Sequence, residues 1–171
     1  MLKHERDGIM REIEFEKLLE KASEKAASYI NIKPRTEYQM KKYLKEKGFE
    51  EEVVTEVINQ LKEYHYIDDI EYASMYFRYG FEKGRGVERI KRELAEKGVR
   101  SDDIAIAYED LEEVPDQMEA AMEIARSVIS GIDLDELDYD EKRKLQAKIG
   151  RRLMGRGFSS DVVYKAVNRL F

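Results

Sequence analysis

Cysteine and tryptophan are absent from this chain of 171 residues, and proline and histidine occur twice each. Without cysteine there is no disulfide, thiolate metal site or cysteine nucleophile, which fits a reducing compartment. The two histidines, His4 and His65, stand on different segments and leave little material for a histidine metal cluster or a Ser-His-Asp triad. No run of 18 apolar residues occurs, and the first 25 residues carry charges throughout, so neither a membrane span nor a signal peptide is expected. No strand pattern longer than a few residues competes with helix. These absences predict a cytoplasmic, non-enzymatic protein that uses no cofactor, metal or small-molecule substrate.

What is abundant is charge. Charged side chains make up 40% of the chain and hydrophobic ones 42%, enough for a core inside a large solvated surface. The net charge of -6 hides a strong segregation. Residues 1–75 hold 13 basic and 17 acidic side chains, and residues 76–100 hold 8 and 4. Residues 101–141 hold 1 basic and 15 acidic, whereas residues 142–171 hold 9 and 1. Basic and acidic surfaces must therefore coexist on one molecule.

The second abundant feature is a repeat. Lys45-Glu46-Lys47-Gly48-Phe49, Ala95-Glu96-Lys97-Gly98-Val99 and Met154-Gly155-Arg156-Gly157-Phe158 each stand between helical patterns, at separations of 50 and 59 residues. Aligned on the glycine, apolar residues superpose: Met40, Ile90 and Ile149; Leu44, Leu94 and Leu153; Phe49, Val99 and Phe158; Val54, Ile104 and Val163; Leu61, Leu111 and Leu170. The spacing predicts helix, tight turn, helix in each copy, with the glycine in the left-handed terminal position. Thr36 with Gln39 and Asp138 with Glu141 read as capping boxes. Ser101 and Ser159 or Ser160 read as N-caps of the third helices, and Asp68 with Glu71 as the start of another helix. Asp69, Asp102 and Asp103 read as capping and dipole partners rather than as a metal or acid-base pair. A further helix precedes each pair, over 12–30, 69–82 and 115–130, the last with Pro115 in its first turn.

The expected fold is therefore all-α, with three tandem three-helix repeats forming an elongated, curved helical array. A frayed lead-in occupies 1–11, and the repeats span 12–65, 66–112 and 113–171. The third contains an acidic surface loop at 131–138. Gly80, Gly84 and Gly86 read as a helix-helix turn, because no strand precedes them and no P-loop ending follows. The aromatic group Tyr64, Tyr66, Tyr72, Tyr76, Phe77 and Tyr79 reads as packing, with base stacking as the alternative.

Cations repeat in the same register. Arg35, Arg85 and Lys144 superpose, as do Lys42, Arg92 and Arg151, then Lys47, Lys97 and Arg156; Gln39, Arg89 and Lys148 add a position that is basic twice. Offsets of 0, 4 and 7 predict one cationic stripe on each middle helix, thickened in the second repeat by Arg78, Lys83 and Lys91. Such a stripe suits phosphate or carboxylate partners. The alternative is a solvated helix face whose cations complement the macrodipole.

Tyr66-Ile67-Asp68-Asp69-Ile70-Glu71-Tyr72-Ala73, followed by Lys83-Gly84-Arg85-Gly86 and by Arg89-Ile90, Glu93-Leu94 and Lys97-Gly98-Val99, resembles the central signature of the RecX family, regulators of the RecA recombinase. Arg35-Thr36-Glu37 and Tyr43-Leu44 with Lys47-Gly48-Phe49 add to the likeness, which extends over residues 15–171. The resemblance implies a molecule that lies in the groove of a RecA filament on DNA, where it inhibits strand exchange and RecA-stimulated repressor cleavage or destabilises the filament. The expected contact residues are Arg35, Lys42, Arg78, Lys83, Arg85, Arg89, Arg92, Lys144, Lys148 and Arg151. A monomer with at most weak direct contact to DNA is expected, since the acidic run repels exposed phosphate. Two rivals stay open: a direct DNA-binding module built on helix-turn-helix-like pairs, and a helical scaffold for an acidic partner.

Overall fold

The computed structural model describes the backbone of residues 3–171 and the side chains from Arg6 onward. Its described residues form nine helices and no strand. In chain order these are α1 (Lys3–Ile32), α2 (Glu37–Glu46), α3 (Glu51–Glu63), α4 (Asp69–Glu82), α5 (Val87–Glu96), α6 (Ser101–Glu109), α7 (Gln117–Ile129), α8 (Tyr139–Arg156) and α9 (Ser160–Asn168). The fold is all-α and built from tandem three-helix repeats. Contacts gather the chain into two compact units, Met1–Tyr72 with Lys97–Asp103 and Ala73–Glu96 with Ile104–Phe171. The turn that follows α5 thus belongs with the first repeat.

Most of the aligned apolar residues are the core. Met40, Ile90, Ile149, Leu44, Leu94, Leu153 and Val54 are fully buried, and Ile104, Val163, Val99 and Phe158 nearly so, whereas Phe49, Leu61, Leu111 and Leu170 are half-buried. In the first unit α1 packs on α2 and α3 around Ala22, Ala26, Met40, Leu44 and Val54. The small alanines let the helices approach closely. In the second unit α7 packs in the same way on α8 and α9, around Ala121, Ala125, Ile149 and Leu153. There the Phe77 ring meets Tyr108 at 5.3 Å, and Gly80 lies directly under the Ile90 side chain. Burying each such side chain contributes about 1.5–3 kcal/mol.

Local signals set the boundaries. Thr36 Oγ1 accepts from the Gln39 amide while Gln39 Oε1 accepts from the Thr36 amide, closing the capping box of α2. Asp138 and Glu141 do the same for α8. Asp68 Oδ1 accepts from the Glu71 amide at 2.9 Å, and Ser159 caps α9. Gly48, Gly98 and Gly157 adopt φ of 88°, 83° and 90°, where any Cβ is strained.

Several expectations need correction. The segment 3–11 is helical and continues α1, although it was expected as a frayed lead-in; Met1 and Leu2 and the His4 side chain lie outside the described residues. Helix propagates easily from the packed part of α1, and the segment lacks a core-facing period because Ile9 and Met10 are exposed. Ser101 is the first residue of α6 rather than its cap, and Pro115 precedes the Asp116 N-cap of α7 instead of entering its first turn. The acidic loop is not wholly at the surface: Leu134 and Leu137 pack against the core of α7, α8 and α9.

The turn glycines differ in their surroundings. A Cβ on Gly98 would collide with the Tyr38 ring and one on Gly157 with Arg89, whereas Gly48 faces open space. Gly48→Ala should therefore carry only the left-handed strain, about 1–2 kcal/mol. Gly98→Ala and Gly157→Ala should each lose about 1–3 kcal/mol more from the collision. Urea unfolding checks this ranking, and equal losses at all three positions would contradict it.

Candidate cationic interface

The ten expected contact residues divide into two kinds. Arg35 and Arg85 do not sit on the middle helices; they occupy the connections before α2 and α5. The capping residue Thr36 and the turn at Gly84, with φ of 65°, delay helix entry beyond both arginines. Each is half-buried over an aromatic ring instead. The Arg35 guanidinium lies 3.7 Å from the Tyr29 ring centre, and Tyr29 stacks on Tyr43 at 4.0 Å. Arg85 lies 5.2 Å from Tyr79. Tyr29 and Tyr79 are 50 residues apart, as are Arg35 and Arg85, so one cation-π peg recurs in two repeats.

Arg85 and Arg89 converge on one carboxylate. Arg85 Nη1 donates to Glu93 Oε2 and Arg89 Nε to Glu93 Oε1, both at 2.8 Å, while the Tyr76 hydroxyl donates to Glu93 Oε2 at 2.9 Å. Glu93 and Arg85 are each 19% exposed. Burial pushes the Glu93 carboxyl up, but hydrogen bonds from Arg89 and Tyr76 and the Arg85 charge outweigh it, so its pKa lies below the ordinary value. Arg89 also donates through Nη1 to the Gly155 carbonyl. These two arginines are committed to structure.

The other kind is exposed. Lys42 on α2, Arg92 on α5 and Arg151 on α8 occupy equivalent positions, and each is exposed with no ion pair among the described residues. Lys144 and Lys148 on α8 share that state, one turn apart. Lys83 is exposed beyond Tyr79, 5.7 Å from its ring centre. Arg78 is exposed at the end of α4 and lines a groove of about 690 Å³ with Phe81, Glu82, Leu111, Glu112, Glu113, Val114 and Pro115. The free cations recur by repeat, as expected, but at fewer positions.

Roles missed in the sequence are structural. Glu93 is the acceptor that organises Arg85 and Arg89, and Tyr29 and Tyr79 are the platforms of Arg35 and Arg85; the shared 50-residue spacing was the available signal. Asp69 is more than a helix-start charge, because its Oδ1 accepts from the Glu37 amide at 2.9 Å and so caps α2. Burial raises its pKa; the Glu37 amide opposes that, and the Glu37 and Asp103 carboxylates add to it. The aromatic group divides: Phe77 is buried, Tyr72 and Tyr76 are half-buried, and Tyr64 and Tyr66 are 70% and 65% exposed. No group of three or more metal-ligating side chains occurs among the described residues, and none of their helices is long and apolar enough to cross a membrane.

The geometry defines a class, a helical repeat protein that presents free cations at periodic positions. Residues 22–61 match the first three-helix domain of RecX and residues 68–107 the second. The regulatory protein RecX of Clostridium acetobutylicum is 30% identical over 153 residues, covering 88% of this chain and 69% of that protein. The chain belongs to the RecX family. The RecX of Bacillus licheniformis is 32% identical over 157 residues, and this chain spans only 57% of its length. The crystal structure of RecX from Lactobacillus salivarius has the same fold, with a TM-score of 0.76 at 23% identity over 90% of this chain and 97% of that one. A second RecX crystal structure gives 0.75 at 27% identity, over 99% and 79%.

The Glu93 centre predicts a pH dependence. A carboxyl whose folded pKa is depressed contributes stability that is complete above its unfolded value, about 4.3, and lost as pH falls through the lower folded value. Glu93→Gln should cost about 1–2 kcal/mol near neutrality, and the difference from the unsubstituted protein should shrink below about pH 4.3. Chemical unfolding at a series of pH values measures this; a constant difference would rule out the linkage.

Proposed function

We propose that this chain is a non-enzymatic regulator that binds the RecA filament on DNA and inhibits it. The observation that carries the reading is the recurrence of exposed, unpaired cations at Lys42, Arg92 and Arg151, one per three-helix repeat. A helical nucleoprotein polymer offers acidic groups at regular intervals, and a repeat protein can meet them in register. Arg78, Lys83, Lys144 and Lys148 extend the contact. Arg35, Arg85 and Arg89 act as positioning residues: their charges fix the connections from which α2 and α5 start. The family's name as regulatory proteins supports the reading.

The 15 acidic side chains among residues 101–141 favour a filament over naked DNA as the target, since they repel phosphate not already covered by protein. Direct DNA binding would instead show a steep salt dependence without RecA.

Charge reversal tests the division of labour. The combined variant Arg92→Glu, Lys148→Glu, Arg151→Glu should unfold within about 0.5 kcal/mol of the unsubstituted chain, because these positions are exposed. Its inhibition of RecA strand exchange should fall about tenfold or more, the loss of some 1.4 kcal/mol of binding. Unchanged inhibition by a folded variant would refute the cationic interface.

A further inference from the structure

The glycine turn occurs three times and is covered twice. In the first unit the Lys97 carbonyl accepts from Thr36 Oγ1 at 2.7 Å, and the Tyr38 ring lies over Gly98. In the second unit the Arg156 carbonyl accepts from the Gly86 amide at 2.8 Å, and the Arg89 backbone and Cβ lie over Gly157. Both arrangements follow one rule. The residue before the glycine offers its carbonyl to a donor just ahead of another helix, and a residue in that helix's first turn covers the glycine.

Gly48 has the same backbone, with φ of 88°, yet nothing approaches the position of its Cβ within 4 Å. Lys47 and Gly48 are exposed, whereas Lys97 and Gly98 are half-buried and Gly157 is buried. On α2, immediately before this turn, a groove of about 500 Å³ is lined by Tyr38, Lys41, Lys42, Lys45 and Glu46. Lys41 and Lys45 both reach Glu51, and Lys42 and Lys47 are the exposed cations left at this turn, beside the exposed carboxylates Glu46, Glu50 and Glu52.

We infer that the Lys47-Gly48-Phe49 turn is a docking surface for the start of a helix in a partner protein. The occupant's chemistry follows from the two covered copies and from the local charge. It carries a hydroxyl or free amide at its cap to donate to the Lys47 carbonyl, as in both copies, and an aromatic side chain in its first turn to cover Gly48, as Tyr38 covers Gly98. It also carries acidic residues near that turn, which suit both its own N-terminal dipole and Lys42 and Lys47. The negative C-terminal end of α2 then faces the positive start of the partner helix. A second copy of this chain is a poorer occupant, because Thr36 and Gly86 are already engaged. The inference is independent of RecA.

The test titrates the isotope-labelled full chain with a synthetic helical peptide that opens Thr-Glu-Tyr-Gln, as α2 does, and continues in alanine and glutamate. The expected result is amide shifts in the nuclear magnetic resonance spectrum centred on Lys47, Gly48 and Phe49. A peptide with alanine for its threonine and tyrosine should bind about tenfold more weakly, as should Gly48→Asn, which tolerates the left-handed backbone but adds a Cβ. Lys42→Glu, on the exposed face of α2, gives a second variant that leaves the turn untouched and should also weaken binding. Shifts centred elsewhere, or binding unaffected by Gly48→Asn and Lys42→Glu, would overturn the inference. Shifts at these residues that grow with protein concentration alone would assign the surface to a second copy and overturn it equally.

Discussion

Everything in this protein depends on a left-handed glycine that ends one helix and, in two of three copies, receives the start of another. A single residue type meets two demands at Gly98 and Gly157. The backbone must reach positive φ, and another chain segment must come so near that no Cβ fits. Because the contact joins a carbonyl at a helix end to a donor at a helix start, it satisfies groups that helices leave unpaired. At Gly98 and Gly157, docking and chain reversal are thus one event.

That constraint explains why three of the ten expected contact residues, Arg35, Arg85 and Arg89, are engaged within the fold. The connection before each middle helix has to be held in a fixed shape if it is to meet a neighbouring turn. Arg35 on the Tyr29 ring, and Arg85 on Tyr79 and Glu93, hold it. Arg89 extends from the same carboxylate to the Gly155 carbonyl. A guanidinium suits this work because it stacks on a ring and donates from its edge at once. The exposed set, Lys42, Arg92 and Arg151, has no such structural contact, and its spacing is inherited from the repeat.

Much of the fold was legible in the sequence. Eleven of the fifteen apolar residues aligned on the glycines are buried core, the two capping boxes form, and α4 spans the residues its periodicity predicted. Periodicity failed where burial ends: α1 runs on past Ile13 toward Lys3, although Ile9, Met10 and Ile13 are exposed there. The cationic register was legible as well, but not its division into two classes. Sequence spacing shows which residues are equivalent; it does not show that a tyrosine 6 residues earlier, Tyr29 or Tyr79, captures the guanidinium that follows. Charge alone makes Arg85 and Arg92 look alike; Tyr79, Glu93 and the start of α5 after Arg85 separate them.

The central functional claim is that the free cations meet a filament and not bare nucleic acid. Co-sedimentation at about 0.15 M salt addresses it directly, comparing RecA assembled on single-stranded DNA with nucleotide, RecA alone, and DNA alone. The account predicts that the chain pellets with the assembled filament and stays in solution with either component by itself. Retention by DNA alone to the same extent, or no retention by the filament, would contradict it.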